Sequence, residues 1–190
     1  MKEFSLEEKY RLIKNDIVNI KYKNPIETVK EMMKKDYISI HGPEHHFLDG
    51  AAFIVAYGNA VGETDISRYL DEFERRTTKM PGGMCAYWGI CGAVASVGAA
   101  LSVIHGTSPL STDKFYKDNL KYTSSVLAKM SEIGGARCCK RNAFLALSFG
   151  VKFVSENYDI DMETSDIVCE FSPFNKQCLK NKCPFYKTSR

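Results

Sequence analysis

From Met84 to Ile104 the chain runs 21 residues without a charge, and Gly50 to Gly62 forms a second uncharged stretch. A helix apolar on every side presents no face to water, so it must be enclosed by lipid or by other helices. Roughly 20 apolar residues suffice to span a bilayer, and the longer stretch reaches that length. Its composition argues against insertion: Gly89, Gly92, Ala93, Ala95, Ser96, Gly98, Ala99 and Ala100 make it small-residued and weakly greasy, which suits close helix packing. The expectation is two buried central helices, surrounded by the rest of the chain, with no membrane span.

Elsewhere apolar residues recur at helical spacing, and no run of short alternating segments reads as a sheet, so the expected class is all-α. Leu6, Tyr10, Ile13, Ile17 and Ile20 form a stripe opened by Ser5 and Glu8, a capping-box pair. Asn24 and Pro25 start a second helix reaching about Tyr37 through Ile26, Val29 and Met33. Ile66, Tyr69, Leu70, Phe73, Thr77 and Met80 mark another, from near Thr64 to the stop at Pro81, Gly82 and Gly83. Tyr116, Leu120, Thr123, Leu127 and Met130 mark the next, with Ser111 or Thr112 as cap and Gly134 past its end. Phe144, Leu147, Ser148, Val151 and Val154 mark a last helix beginning near Cys138. At 190 residues the chain fits one domain of about seven helices. Residues 1–40 read as an N-terminal helical addition, 41–158 as the helical core and 159–190 as an irregular, Cys-rich tail.

A hydrophobic share of 44% and a charged share of 26% exclude wholesale disorder. A net charge of +3 names no nucleic-acid partner, and the basic tail residues Lys176, Lys180, Lys182, Lys187 and Arg190 lack interleaved exposed aromatics. Seven cysteines, an odd number, follow an N-terminus without the apolar stretch of a signal peptide. That pattern predicts reduced thiols in the cytoplasm, available for metal binding or thiol chemistry.

The tail carries Cys169, Cys178 and Cys183 followed by Pro184, in a stretch with few apolar residues to pack. Thiolates are soft donors for zinc or iron–sulfur clusters, and a metal would supply the missing staple. The candidate fourth ligands are Cys138 and Cys139, which follow a Gly-Gly break at a helix start. Arg137, Lys140 and Arg141 flank them, so cations and the helix dipole predict a lowered thiol pKa or a site for an anionic ligand. Cys85 and Cys91 lie six apart, about 120° round a continuous helix, and share a site only if the chain bends there. Three of the four histidines sit in His41-Gly42-Pro43-Glu44-His45-His46. Stepping on from His45 gives Asp49, Ala52, Ala56 and Asn59, a polar lane on an apolar helix, in which His45 and Asp49 suit metal binding, an acid–base pair or support of a neighbouring ligand. His105 reads as a cation at a helix C-terminus. No glycine-rich phosphate loop or Gly-x-Ser-x-Gly elbow occurs, which removes kinase-like and hydrolase-like readings.

The stretches His41 to His46, Pro81 to Cys85, Trp88 to Ala93, Cys138 to Arg141 and Asn175 to Pro184 together resemble an uncharacterised conserved domain of anaerobic bacteria and archaea. That domain occurs alone or appended to class I SAM-dependent methyltransferases. The resemblance spans about residues 41 to 187, with Ala86 where glycine is expected. It implies an anaerobe's cytoplasm and so favours iron–sulfur, as a 4Fe–4S cluster, over zinc. Two functions follow as expectations. One is an iron–sulfur protein with a Cys/His pocket, handling a sulfur-bearing or anionic small molecule or electrons. The other is a helical interaction module with a structural zinc, serving a partner such as a methyltransferase. In either case Cys85, Cys91, Cys138 or Cys139, and His45 are expected to meet in one site.

Overall fold

The computed structural model describes residues 3–187. Eight α-helices are present among them and no strand, in one helical domain. α1 (Leu6–Ile17) opens with the expected box, Ser5 accepting from the Glu8 amide while Glu8 accepts from the Ser5 amide. α2 (Pro25–Met32) is capped by Asn24, with proline in its first turn. The side chains of Ile13, Ile17, Val29 and Met32 are completely buried in the common core, so these two helices are integral to the domain.

α3 (His45–Val61) and α6 (Gly92–Ile104) form the centre. α3 packs against α1, α2, α6, α4 (Ile66–Thr77) and α8 (Cys139–Tyr158), while α6 adds α7 (Lys114–Ile133). Close approach is enforced at glycine: a Cβ on Gly50 of α3 would strike Phe73 and the Ser96 backbone of α6. None of the helices among the described residues is long and apolar enough to cross a membrane.

The uncharged stretch is not one helix. It divides into a single turn, α5 (Met84–Tyr87), and α6, with Gly89 at a φ of 68° between them. Tyr87, Trp88 and Ile90 project into solvent there, with Tyr87 83% exposed. The break takes Cys85 and Cys91 off a common helix, removing the 120° separation that continuity would impose.

α7 is turned partly from the expected face, since Thr123, Leu127 and Met130 of the expected stripe still pack inward. Tyr122 and Val126 are its buried residues, while Tyr116 and Leu120 are exposed. Two interactions set that rotation. The Tyr122 hydroxyl donates to the Ala146 carbonyl of α8 at 2.8 Å, and a Cβ on Gly98 of α6 would meet Thr123 and Asn119. Small polar groups on the glycine and one hydrogen-bonded tyrosine thus outweigh burial of Leu120. Asp113, accepting from the Phe115 amide, is the cap rather than Ser111 or Thr112. His105 is no cation at the α6 terminus: burial lowers its pKa, and the ring stacks on Phe115 at 4.0 Å with Nδ1 on the Leu101 carbonyl.

Beyond α8 the chain makes two short 3₁₀ turns, Ser172–Phe174 and Lys180–Lys182, and one bridge between Cys169 and Tyr186. Met162 and Phe171 are buried, and Phe185 meets Phe144 edge-on at 5.6 Å. These anchors lay the tail across α2 and the start of α8, with Lys34 paired to Glu170 at 2.9 Å.

Candidate metal and thiol site

Three chain segments bring four thiols round one small cavity: Cys138 from the start of α8, Cys169 from the bridge, and Cys178 and Cys183 on either side of the second 3₁₀ turn. Its volume is about 20 Å³. Cys138 is the N-cap of α8, and its sulfur accepts from the Arg141 amide at 3.4 Å and from Asn175 Nδ2 at 3.5 Å. Cys178 accepts from the Lys180 amide at 3.4 Å. Burial pushes the Cys169 and Cys183 thiols up, opposed by the amides of Phe171 and Phe185 respectively. Asn175 is the keystone on one side: its Oδ1 accepts from the Gln177 amide at 2.9 Å and from His41 Nε2 at 3.0 Å. That fixes the His41 tautomer, whose Nδ1 then accepts from the Cys139 amide at 3.4 Å.

Cys139 points elsewhere. Together with Cys85 and Cys91 it lines a second, inner cavity of about 30 Å³, closed on the α3 side by His45, His46 and Asp49. Adjacent residues in the first turn of a helix leave in different directions, so the Cys138–Cys139 step delivers one thiol to each cavity, with Cys138 also touching the inner one. The lowered thiol pKa expected at this step is not found at Cys139, which burial drives up to about 12 against the Gly42 amide. Desolvation outweighs the dipole because the flanking cations are turned to other partners. Arg141 is buried and grips the loop before α8 through the Gly134 and Ala136 carbonyls at 3.2 and 3.1 Å. Arg137 is exposed at the cavity's lip.

Asp49 is completely buried and its pKa is raised, burial outweighing the His45 bond at 3.4 Å. His45 Nε2 stands 3.3 Å from Lys140 Nζ, which also donates to the Ser39 carbonyl at 3.0 Å. The Ser39 carbonyl, which can only accept, also lies 3.1 Å from His45 Nε2, so one oxygen draws both side chains together while His45 Nδ1 faces Asp49. Lys140 is itself buried, and desolvation lowers its pKa to about 8. Its Nζ lies 5.0 Å from the Phe171 ring on the tail side, so the chain Asp49, His45, Lys140 runs from the inner cavity to the outer one. Asn59, the far end of the expected lane, takes no part: its Nδ2 donates to the Ile20 and Tyr22 carbonyls.

An open cleft of about 380 Å³ leads to the inner cavity, with which it shares Cys85, Cys91, Arg137 and Asn142. Asn142 Nδ2 donates to the Cys91 sulfur at 3.2 Å. Sequence reasoning did not single out Asn142, Asn175, His41 or His46 as site residues. All four fall inside or beside the motifs quoted above, but an amide carries no metal signature, and His41 and His46 lie off the lane that steps on from His45. Among the described residues no group of three or more His, Cys, Asp and Glu side chains is set, as it stands, to hold a metal ion. The thiols ring cavities rather than meeting at a point.

A family model described as "Family of unknown function (DUF5714)" matches residues 13–186, reaching further toward the N-terminus than the motifs alone. No curated protein and no solved structure matches.

Proposed function

The chain belongs to DUF5714, a family of unknown function, and from that premise we propose that it is an iron–sulfur protein whose cluster is held by Cys138, Cys169, Cys178 and Cys183. The observation that carries this reading is the meeting of four thiols from three separate segments round one cavity. Thiolates select iron–sulfur clusters and zinc over hard cations. Around one zinc, bonds of roughly 2.3 Å would bring the sulfurs to about 3.8 Å from each other. A cluster spreads its ligands round a wider body, which suits thiols that encircle a space without converging. Cys138 takes the fourth position, since Cys139 faces the inner cavity. Lys140 and Arg141 line the same space and would offset the negative charge of a four-thiolate centre. The centre would act in electron transfer or in handling an anionic or sulfur-bearing small molecule. Seven unpaired thiols suit the reducing cytoplasm of an anaerobe.

One observation favours a second reading. A volume of about 20 Å³ is the size of a single ion or water, which suits a structural zinc in an interaction module for a partner such as a methyltransferase. Anaerobic purification, an absorption spectrum, and iron, sulfide and zinc analysis decide between them. A brown protein with iron and acid-labile sulfide, both lost in Cys178→Ser and Cys183→Ser, supports the cluster. Zinc alone supports the module, and unchanged metal content in both variants overturns both readings.

A further inference from the structure

The four thiols of the tail cavity leave three unused, and these three line the inner cavity. Cys85 follows the Pro81–Gly83 turn, Cys91 caps α6, and Cys139 opens α8. Each comes from the first residues of a different helix. Two polar atoms of this cavity's wall have no hydrogen-bond partner: His46 Nδ1 and Asp49 Oδ2, on residues 8% and 0% exposed. Buried polar groups without partners carry an uncompensated desolvation penalty and are rarely retained without a reason.

The His46 ring is held in a particular way. The Met80 carbonyl accepts from it, and a Cβ on Gly92 would collide with Nε2, so the α6 backbone packs directly on the ring. With the Nε2 side closed by backbone, the unpartnered Nδ1 is the free lone pair. One nitrogen held by a carbonyl and the other left without a partner is the arrangement of metal-binding histidines. Asp49 Oδ2 is an acceptor beside the same thiols, and a bound cation would answer it.

We propose that the inner cavity is a second metal site, in which Cys85, Cys91, Cys139 and His46 Nδ1 bind a thiophilic transition-metal centre beside the tail cluster. The three thiols turn inward on binding, since they do not converge as they stand. They also deprotonate, and the dipole ends of α6 and α8 together with exposed Arg137 favour the anionic form once a metal replaces the proton. Cys85 and Cys91 are shared with the open cleft, so this centre, unlike the tail one, faces a route for small molecules. The adjacent residues Cys138 and Cys139 then tie the two centres together through a single peptide unit.

The test uses the full chain purified anaerobically and then loaded with Fe²⁺ and sulfide, or with Zn²⁺ alone. Metal content is measured for the wild type, the Cys85→Ser/Cys91→Ser double variant and the Cys178→Ser/Cys183→Ser double variant. Thiol alkylation by iodoacetamide is followed residue by residue in the wild type, with and without metal. The expected result is that each double variant loses one centre and keeps the other, and that metal shields Cys85, Cys91 and Cys139 at least tenfold. If the Cys85→Ser/Cys91→Ser protein does not fold, the wild-type alkylation pattern decides alone. Equal alkylation of Cys85, Cys91 and Cys139 with and without either metal overturns the inner site. The tail reading is scored separately by Cys178 and Cys183, so either site can fail without the other.

Discussion

Single atoms decide whether the two cavities keep their shape. Gly92 has no side chain where His46 needs the room, so Gly92→Ala should cost about 1–3 kcal/mol in urea unfolding and displace the His46 ring. A variant as stable as the wild type would mean that the ring is free to move. His105 offers a check on buried charge far from the thiols. Burial lowers its pKa below the ordinary 6.5, so the unfolded chain binds the extra proton first as pH falls. Its contribution to stability is complete above pH 6.5 and is lost as pH drops toward the lower folded-state value. His105→Phe keeps the stack on Phe115 and should therefore flatten that acid-side loss in urea titrations between pH 7 and 5. An unchanged slope would show that this ring protonates without penalty.

At the level of elements, the rotation of α7 separates two otherwise similar apolar positions. Tyr122→Phe leaves the Ala146 carbonyl without its donor and should cost about 1 kcal/mol or more, whereas Leu120→Ala, on an exposed position, should change stability by about 0.5 kcal/mol or less. The reverse order would restore the face that periodicity alone predicts. Periodicity places Thr123, Leu127 and Met130 inward but cannot see that Asn119 also lies against Gly98 and that Tyr122 is buried, so the helix was legible and its azimuth only in part. The same holds at Gly89. An uncharged run reads as one helix, and only the positive φ and the exposed Trp88 reveal a joint. For the tail, Met162, Phe171 and Phe185 give partial anchorage, and metal should supply the rest. Chelation, or Cys183→Ser, is expected to make the chain beyond Asp159 the first site of limited proteolysis, and equal resistance with and without metal would count against a stapling role.

Taken whole, the molecule is two buried helices inside a ring of amphipathic ones, an arrangement that follows from where charge is missing in the sequence. The protein should purify without detergent, and recovery only with membranes would contradict the packing of α6 between α3, α4, α7 and α8. What no spacing rule could supply was the partition of the cysteines. Cys169, Cys178 and Cys183 sit near one another in the chain, so their common cavity was open to inference from spacing. That Cys138 joins them while Cys139 turns to Cys85 and Cys91 depends on which way α8 starts, set by His41 on the Cys139 amide and Asn175 on the Cys138 sulfur. The exposed joint has one more property. The chain's single tryptophan, Trp88, sits 61% exposed between Cys85 and Cys91 in sequence, which makes it an optical reporter already installed. A chromophoric centre forming next to it should quench its emission, so filling of the inner cavity can be timed in the unlabelled, unmutated protein with a fluorimeter.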